Sequence, residues 1–266
     1  MNKHLIAIAL SASFLSSSAF AWTGSNSGGE ISMGGQFSLA LPVQVWQAEL
    51  GKAPALNATI PVNAKTITIP VVTDIPVIGF RVADSGGTFV GNAGTTNNAM
   101  ISYGGKYDLA SISNGAGNLT LDVLDANNAK LGVLNATLTS AGVLSAINRN
   151  SQANNAYFSV TAPANDRTRL FSGGVGTTAA QVMPTAAAAL AFITKVFPDA
   201  ATRFTAQNIT PGNTGISNAN SPGNTSYSSA YGSGIGAGSD ITITLDAALK
   251  SETQWKAIIP ITVSYA

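Results

Sequence analysis

The chain has 266 residues, with 13 basic and 12 acidic side chains, one His and no Cys. That balance of charge argues against nucleic acid or an anionic membrane surface as a partner. Charged residues make up only 9% of the chain and the mean hydropathy is +0.23, a composition that suits an assembled surface structure better than a freely diffusing protein.

Residues 1–21 read as a secretory signal peptide. Lys3 and His4 form a basic start, Leu5 to Leu15 an apolar run too short to span a bilayer, and Ala19-Phe20-Ala21 a small-x-small cleavage site before Trp22. Cleavage leaves about 245 residues, the size of one large all-β domain. It also removes Lys3, which equalises the two charges, and His4, the single imidazole. The expected mature chain therefore has no thiol nucleophile, no imidazole base and no usual zinc ligand set. It has no disulfide either, so packing and backbone pairing must supply its stability.

After a polar leader, Gly28 to Val45 alternates with a period of two. Ile31, Met33, Gly35, Phe37 and Leu39 fall on one face, while Glu30, Ser32, Gly34, Gln36 and Ser38 fall on the other. A long apolar strand near a free terminus is a liability unless something pairs with it, and the partner expected is another copy of this chain. Pro42 lacks an N–H, so the strand is expected to end near Leu41, with residues 22–42 as an extension and the domain running over 43–266.

Beyond it, Trp46 to Ala58 shows no clear period. Strands are expected within Ile60–Val72, Asp74–Val82, Ala99–Tyr103, Tyr107–Ile112, Leu119–Leu124 and Lys130–Leu138, with a hairpin tip at Asp125–Asn128. Ser140 to Ile147 reads equally as strand or short helix. Thr185 to Val196 breaks the β pattern: Thr185 can cap a helix that Pro198 stops, and Asp199 can cap a second over Asp199–Gln207. Ile209 to Ser229 reads as a long Asn/Gly/Pro/Ser loop. The last strands are expected at Ser239–Leu245 and Trp255–Tyr265, with Ile259, Ile261, Val263 and Tyr265 on one face. Short strands separated by Gly/Asn turns favour a sandwich or barrel over βαβ units.

Few motifs carry chemistry. Gly232, Gly234, Gly236 and Gly238 alternate as in a phosphate-binding turn, but a strand follows where a helix N-terminus is needed, so an ordinary turn is expected. Asp122 and Asp125 are the nearest acidic pair, yet Asp125 sits in the hairpin tip. Five Asn-x-Ser/Thr triplets arise from composition alone. Arg149, Tyr157, Phe158, Arg167 and Arg169 lie close in a charge-poor chain and suit a sugar through stacking and hydrogen bonds; the alternative is that the aromatics are core and the arginines solvated.

Several segments together resemble the Cys-free fimbrial subunits of the K88/F41/CS31A family. They are Trp22-Thr-Gly, Gly29-Glu-Ile-Ser-Met-Gly-Gly35, Leu170-Phe-Ser-Gly-Gly174, the Ala186–Ala189 run, Tyr231-Gly-Ser-Gly-Ile-Gly-Ala-Gly238, Ser251-Glu-Thr-Gln-Trp255 and Ile261-Thr-Val-Ser-Tyr265. The resemblance is concentrated at the two ends. It implies an all-β, incomplete immunoglobulin-like sandwich completed by a donor strand, with a small inserted helical subdomain over about 148–210. It also implies polymerisation with neighbouring subunits, a periplasmic chaperone, an outer-membrane usher, export to a surface fimbrium, and a host glycan as receptor. In that scheme Ile31, Met33, Gly35, Phe37 and Leu39 belong to the donor strand, and the Ile259–Tyr265 face to the strand that meets chaperone and donor. No enzyme activity and no cofactor are implied. A minor or purely structural subunit, a free-standing secreted β-sandwich binding module and, third, a secreted hydrolase are the alternatives.

Overall fold

The structure is a computed structural model, and it describes residues 45–91, 98–219 and 223–265. The donor-strand residues Ile31 to Leu39 and the start of the domain at Val43 lie outside the described residues. In chain order the strands are β1 (Trp46–Leu50), β2 (Thr66–Pro70), β3 (Ile75–Val82), β4 (Phe89–Val90), β5 (Ala99–Ser102), β6 (Ala116–Asp125) and β7 (Lys130–Asn148). There follow β8 (Ala156–Thr161), helices α1 (Ala186–Val196) and α2 (Pro198–Thr202), β9 (Thr214–Ile216), β10 (Thr225–Ile235), β11 (Asp240–Leu245), β12 (Trp255–Ala257) and β13 (Thr262–Tyr265). The fold is an all-β sandwich with one small helical layer.

Alternation builds the strands. β11, DITITL, buries Ile241, Ile243 and Leu245 and turns Asp240, Thr242 and Thr244 outward, as period two requires when one face is covered. The first half of β7 pairs with β6 and β11, and β11 with β2; this makes one layer, with β12 beyond β6. The second half of β7 pairs with β10 and β8, β10 with β3 and β3 with β1; this makes the other. Their inner faces share one core. Ile69, Leu119, Leu134, Ile241 and Ile243 of the first layer belong to the same cluster as Ile78, Phe80, Leu144, Val160 and Tyr231 of the second.

Rings fill its centre. Phe171 lies 5.4 Å from Trp46, 6.0 Å from Phe80 and 5.0 Å from Tyr231, centroid to centroid. Phe171 is fully buried with φ of 59°, a left-handed conformation that a bulky residue adopts at a cost of roughly 1–3 kcal/mol. The turn is held because its amide donates to the Ala99 carbonyl while the Ile101 amide donates to Ser172.

The outer face of the second layer carries the helices. Thr185 caps α1 by accepting from the Ala188 amide, and α1 buries Ala186, Ala189, Ile193 and Val196 against Ala141, Val143 and Ala230 of the sheet. Pro198 ends α1 and opens α2 at its first turn; the expected Asp199 cap is not the one used. The ordinary turn expected over Gly232–Gly238 is corrected: Gly232 and Gly234 lie inside β10, and only Gly236 and Gly238 belong to the turn. Gly232 stands opposite Gly79 of β3, and a Cβ on Gly79 would lie 2.5 Å from the Phe197 ring. Glycine is needed there because the helical layer lies almost on the sheet backbone.

Other boundaries also move. Trp46–Leu50 is a strand despite its lack of period, Tyr107–Ile112 contains a 3-10 turn capped by Asp108, and Thr225–Ser229 is strand within the expected loop. The Trp255–Tyr265 strand is broken in two around Pro260.

If the Gly79–Gly232 contact sets the helix height, Gly79→Ala should lower stability by about 1–3 kcal/mol in urea unfolding. Gly236→Ala, with no atom within 4 Å of the new methyl, should be nearly neutral. Equal effects of the two would remove this account of the glycines.

Candidate functional site

The end of the chain forms the edge of greatest interest. Among the described residues β12 pairs with β6 alone and β13 with β5 alone. Between them Pro260 has no amide to donate, and its ring lies against Gly104, where a Cβ would sit 2.7 Å from it. Trp255, Ala257, Ile259, Ile261, Val263 and Tyr265 are half-buried and pack on the main core, while Lys256, Ile258, Pro260, Thr262 and Ser264 are exposed. The sequence-predicted face of Ile259, Ile261, Val263 and Tyr265 is thus on the core side, but only partly covered. Partial burial also raises the Tyr265 phenol above its ordinary pKa.

A recess marks each end of this segment. At Trp255 a cavity of about 480 Å³ is lined by Ala58–Val62, Ile67, Ile69 and Leu249–Thr253. At Tyr265 one of about 580 Å³ is lined by β1, Phe80, Arg81 and Phe197. The bank facing Trp255 belongs to the irregular strap 51–65, which sends Leu56 and Ile60 to the core and leaves Val62 90% exposed. The sequence shows no period up to Ala58 and leads to a strand expected from Ile60, whereas β2 begins only at Thr66. The strap's one signal is a long aperiodic stretch inside a domain of short connections. The recesses are of mixed lining, with Glu49 and Arg81 beside Trp46 and Phe80 at one end and Lys250 and Glu252 beside Ile67 and Ile69 at the other. A sheet edge flanked by such recesses is suited to an extended polypeptide, with main-chain bonds along the edge and alternate side chains in the recesses.

The second candidate region is not assembled as the sequence suggested. Tyr157 is buried in the helical layer's core, its ring 5.1 Å from Phe204. Phe158 points to the other side of β8 and packs half-buried on the main core. Arg169 is held by Asp166 at 3.4 Å and by the Ser217 carbonyl at 3.3 Å. Arg149 lies near the Ala156 end of β8, and Arg169 near the Thr161 end, about 17 Å away along the strand. Arg149 and Arg167 are exposed. One ligand face made of all five residues is therefore not formed, because β8 turns its two aromatics to opposite sides and separates the arginines.

What ties the helical layer down is Asp74, in the turn between β2 and β3. Its carboxylate accepts from the Ala237 amide at 2.8 Å and from Lys195, in the last turn of α1, at 2.9 Å. Burial by itself raises the Asp74 carboxyl, but the Ala237 amide and Lys195 outweigh it and hold the group below its ordinary value of 3.8. Among the described residues no group of three or more His, Cys, Asp or Glu is placed to hold a metal ion.

A depressed carboxyl stabilises the fold above its ordinary value, and that contribution is lost as pH falls through the lower folded value. Asp74→Asn should therefore lower the thermal midpoint at neutral pH and flatten its decline below about pH 4. Midpoints measured for parent and variant across the acid range decide it; parallel curves would mean that Asp74 is not the anchor.

The whole sequence, residues 1–266, matches a protein-family model described as fimbrial, major and minor subunit. No curated protein matches the chain.

Proposed function

The chain belongs to the K88-type family of major and minor fimbrial subunits, and from that premise we propose that it polymerises by donor-strand exchange. Membership makes it a structural subunit that assembles with other fimbrial subunits into a cell-surface fimbrium. The finer reading is that the N-terminal strand of one copy, with Ile31, Met33, Gly35, Phe37 and Leu39 inward, adds to the open edge along Trp255–Tyr265 of the next. The observation that carries it is that β12 and β13 each have a single strand partner among the described residues, combined with six half-buried apolar or aromatic side chains in alternation. An added strand would supply the missing main-chain partners and cover that part of the core. On this reading a periplasmic chaperone occupies the same edge before assembly, and an outer-membrane usher supervises the exchange.

Contact with host glycans is a second proposed role, located on the helical side of the sandwich. It is favoured because α1 and α2 add a layer with its own core on the outside of a sheet whose inner face already has a partner. Ordering that layer costs conformational entropy that a spacer subunit need not spend. The exposed arginines Arg149 and Arg167 are its first candidates, Tyr157 and Arg169 being occupied within the fold.

Removing residues 22–41 should yield a chain that folds only with a chaperone, and appending that segment at the C-terminus through a flexible linker should restore a stable monomer. Met33→Asp or Phe37→Asp should block polymerisation, while Ser32→Asp and Ser38→Asp should be mild, because a strand has two faces. A well-folded truncated monomer, or equal effects at odd and even positions, would defeat the donor-strand reading. For the glycan role, Arg149→Ala and Arg167→Ala in the strand-completed monomer should each weaken binding on a glycan array; unchanged binding in both places the receptor site elsewhere.

A further inference from the structure

We propose that the outer face of the β2–β11–β7–β6 layer docks onto the same face of a second copy of this chain, so that neighbouring fibres associate side by side. The register of the four strands builds a grid. Its middle row runs Thr68, Thr242, Asn135, Thr120 across the layer, one residue from each strand. Thr and Asn continue on both sides of it, with Thr66 and Thr244 in one flanking row and Thr137 and Asn118 in the other. All of these are exposed except Thr242, which is half-buried.

Thr on an outward sheet face needs no explanation by itself, since it favours strands. What needs one is the lack of Lys, Arg and Glu from the interior of the face. Exposed sheets normally carry such charges, which keep other molecules away. The grid has no aromatic ring on which a sugar could stack and no cluster of cations for a phosphate. It offers short hydroxyl and amide groups with few rotamers to lose, which suits a partner presenting the same kind of array.

The charges that do occur lie in the two flanking rows, one on β11 and one group on β6, and they are self-complementary. Asp240, on β11, is exposed and forms no salt bridge among the described residues. Diagonally across, Lys106 and Lys130 converge on Asp122 of β6 at 2.9 and 2.8 Å, two ammonium groups on one carboxylate, with Asp246 acting on Lys130 from further off. Asn135 lies at the midpoint between these two charged positions: one strand from β6, one from β11, and in the middle row. A two-fold axis lying in the face, passing through Asn135 and perpendicular to the Asp240–Asp122 diagonal, sets each Asp240 on the partner's Lys106–Lys130 pair.

Four strands about 4.8 Å apart and three rows about 6.8 Å apart, with their side chains, offer about 400 Å² per copy. That is well below the ~800 Å² per partner of a stable pair, so one contact is weak. Repeated along two fibres it adds up by avidity, and in that respect the proposal rests on the polymerisation proposed above.

The chain has no Cys, so single cysteines report contacts cleanly. The Asn135→Cys variant carries its thiol on the axis and should cross-link copies under mild oxidation several-fold more than Asn127→Cys at the exposed β6–β7 tip. Adding Asp240→Lys should bring the Asn135→Cys yield down to that control and turn fibre bundles into single fibres in electron micrographs. An Asn135→Cys yield no higher than that of Asn127→Cys, or one indifferent to Asp240→Lys, overturns the proposal. If no fibres form, it is donor-strand exchange that has failed; the same comparison on the concentrated mature chain in solution then decides the lateral contact alone.

Discussion

β7 is the strand that holds the two layers of the sandwich together. Its 19 residues pair with β6 and β11 in one half and with β10 and β8 in the other. Through those four partners it is linked to every described strand except β5 and β13. One face of β7 supplies Leu134, Leu138 and Leu144 to the main core throughout. The opposite face changes destination along the strand. Asn135 and Thr137 meet solvent, and Ala141 and Val143, further on, meet α1. Where the outer face turns from Asn and Thr to Ala and Val, an open layer becomes a covered one.

The absence of disulfides is offset by geometry of this kind. The helical layer is not an appendage on a loop. It approaches the sheet where Gly79 and Gly232 remove side chains, and Asp74 pins the end of α1 to the β10–β11 turn. Phe171 accepts an unfavourable backbone conformation to place its ring among Trp46, Phe80 and Tyr231. Two buried phenols follow the same economy: the Tyr103 hydroxyl bonds both Tyr231 and Ser233 at 2.8 Å, and the Tyr231 hydroxyl donates to the Gly174 carbonyl.

On the two proposals made above, two surfaces with opposite chemistry would serve assembly. The Trp255–Tyr265 edge is apolar and short of main-chain partners, so it suits a strand inserted once and held tightly. The β2–β11–β7–β6 face is polar and nearly free of charge, with β7 and β11 bonded on both sides, so it suits weak contacts made many times. Linear growth and lateral packing, as proposed, would draw on different parts of one subunit and need not interfere.

The class of fold is legible in the sequence, because period two, Gly/Asn turns and one capped helical segment are local signals. Thr185 and Pro198 mark α1 correctly, and Ile241, Ile243 and Leu245 are the buried side of β11 as their spacing requires. The family resemblance, carried by the two ends, agrees with the family match over the whole chain. Which faces are covered is a matter of tertiary packing alone. Ser140–Ile147 reads as strand or helix because both faces of β7 are buried there, which erases the period. Gly232 and Gly234 read as a turn because nothing local shows that a helix will lie on them. Tyr157, Phe158 and three arginines look like one site in the linear chain, but a strand sends adjacent side chains to opposite faces and its length separates the ends. Burial is settled by distant residues, and no window of sequence contains them.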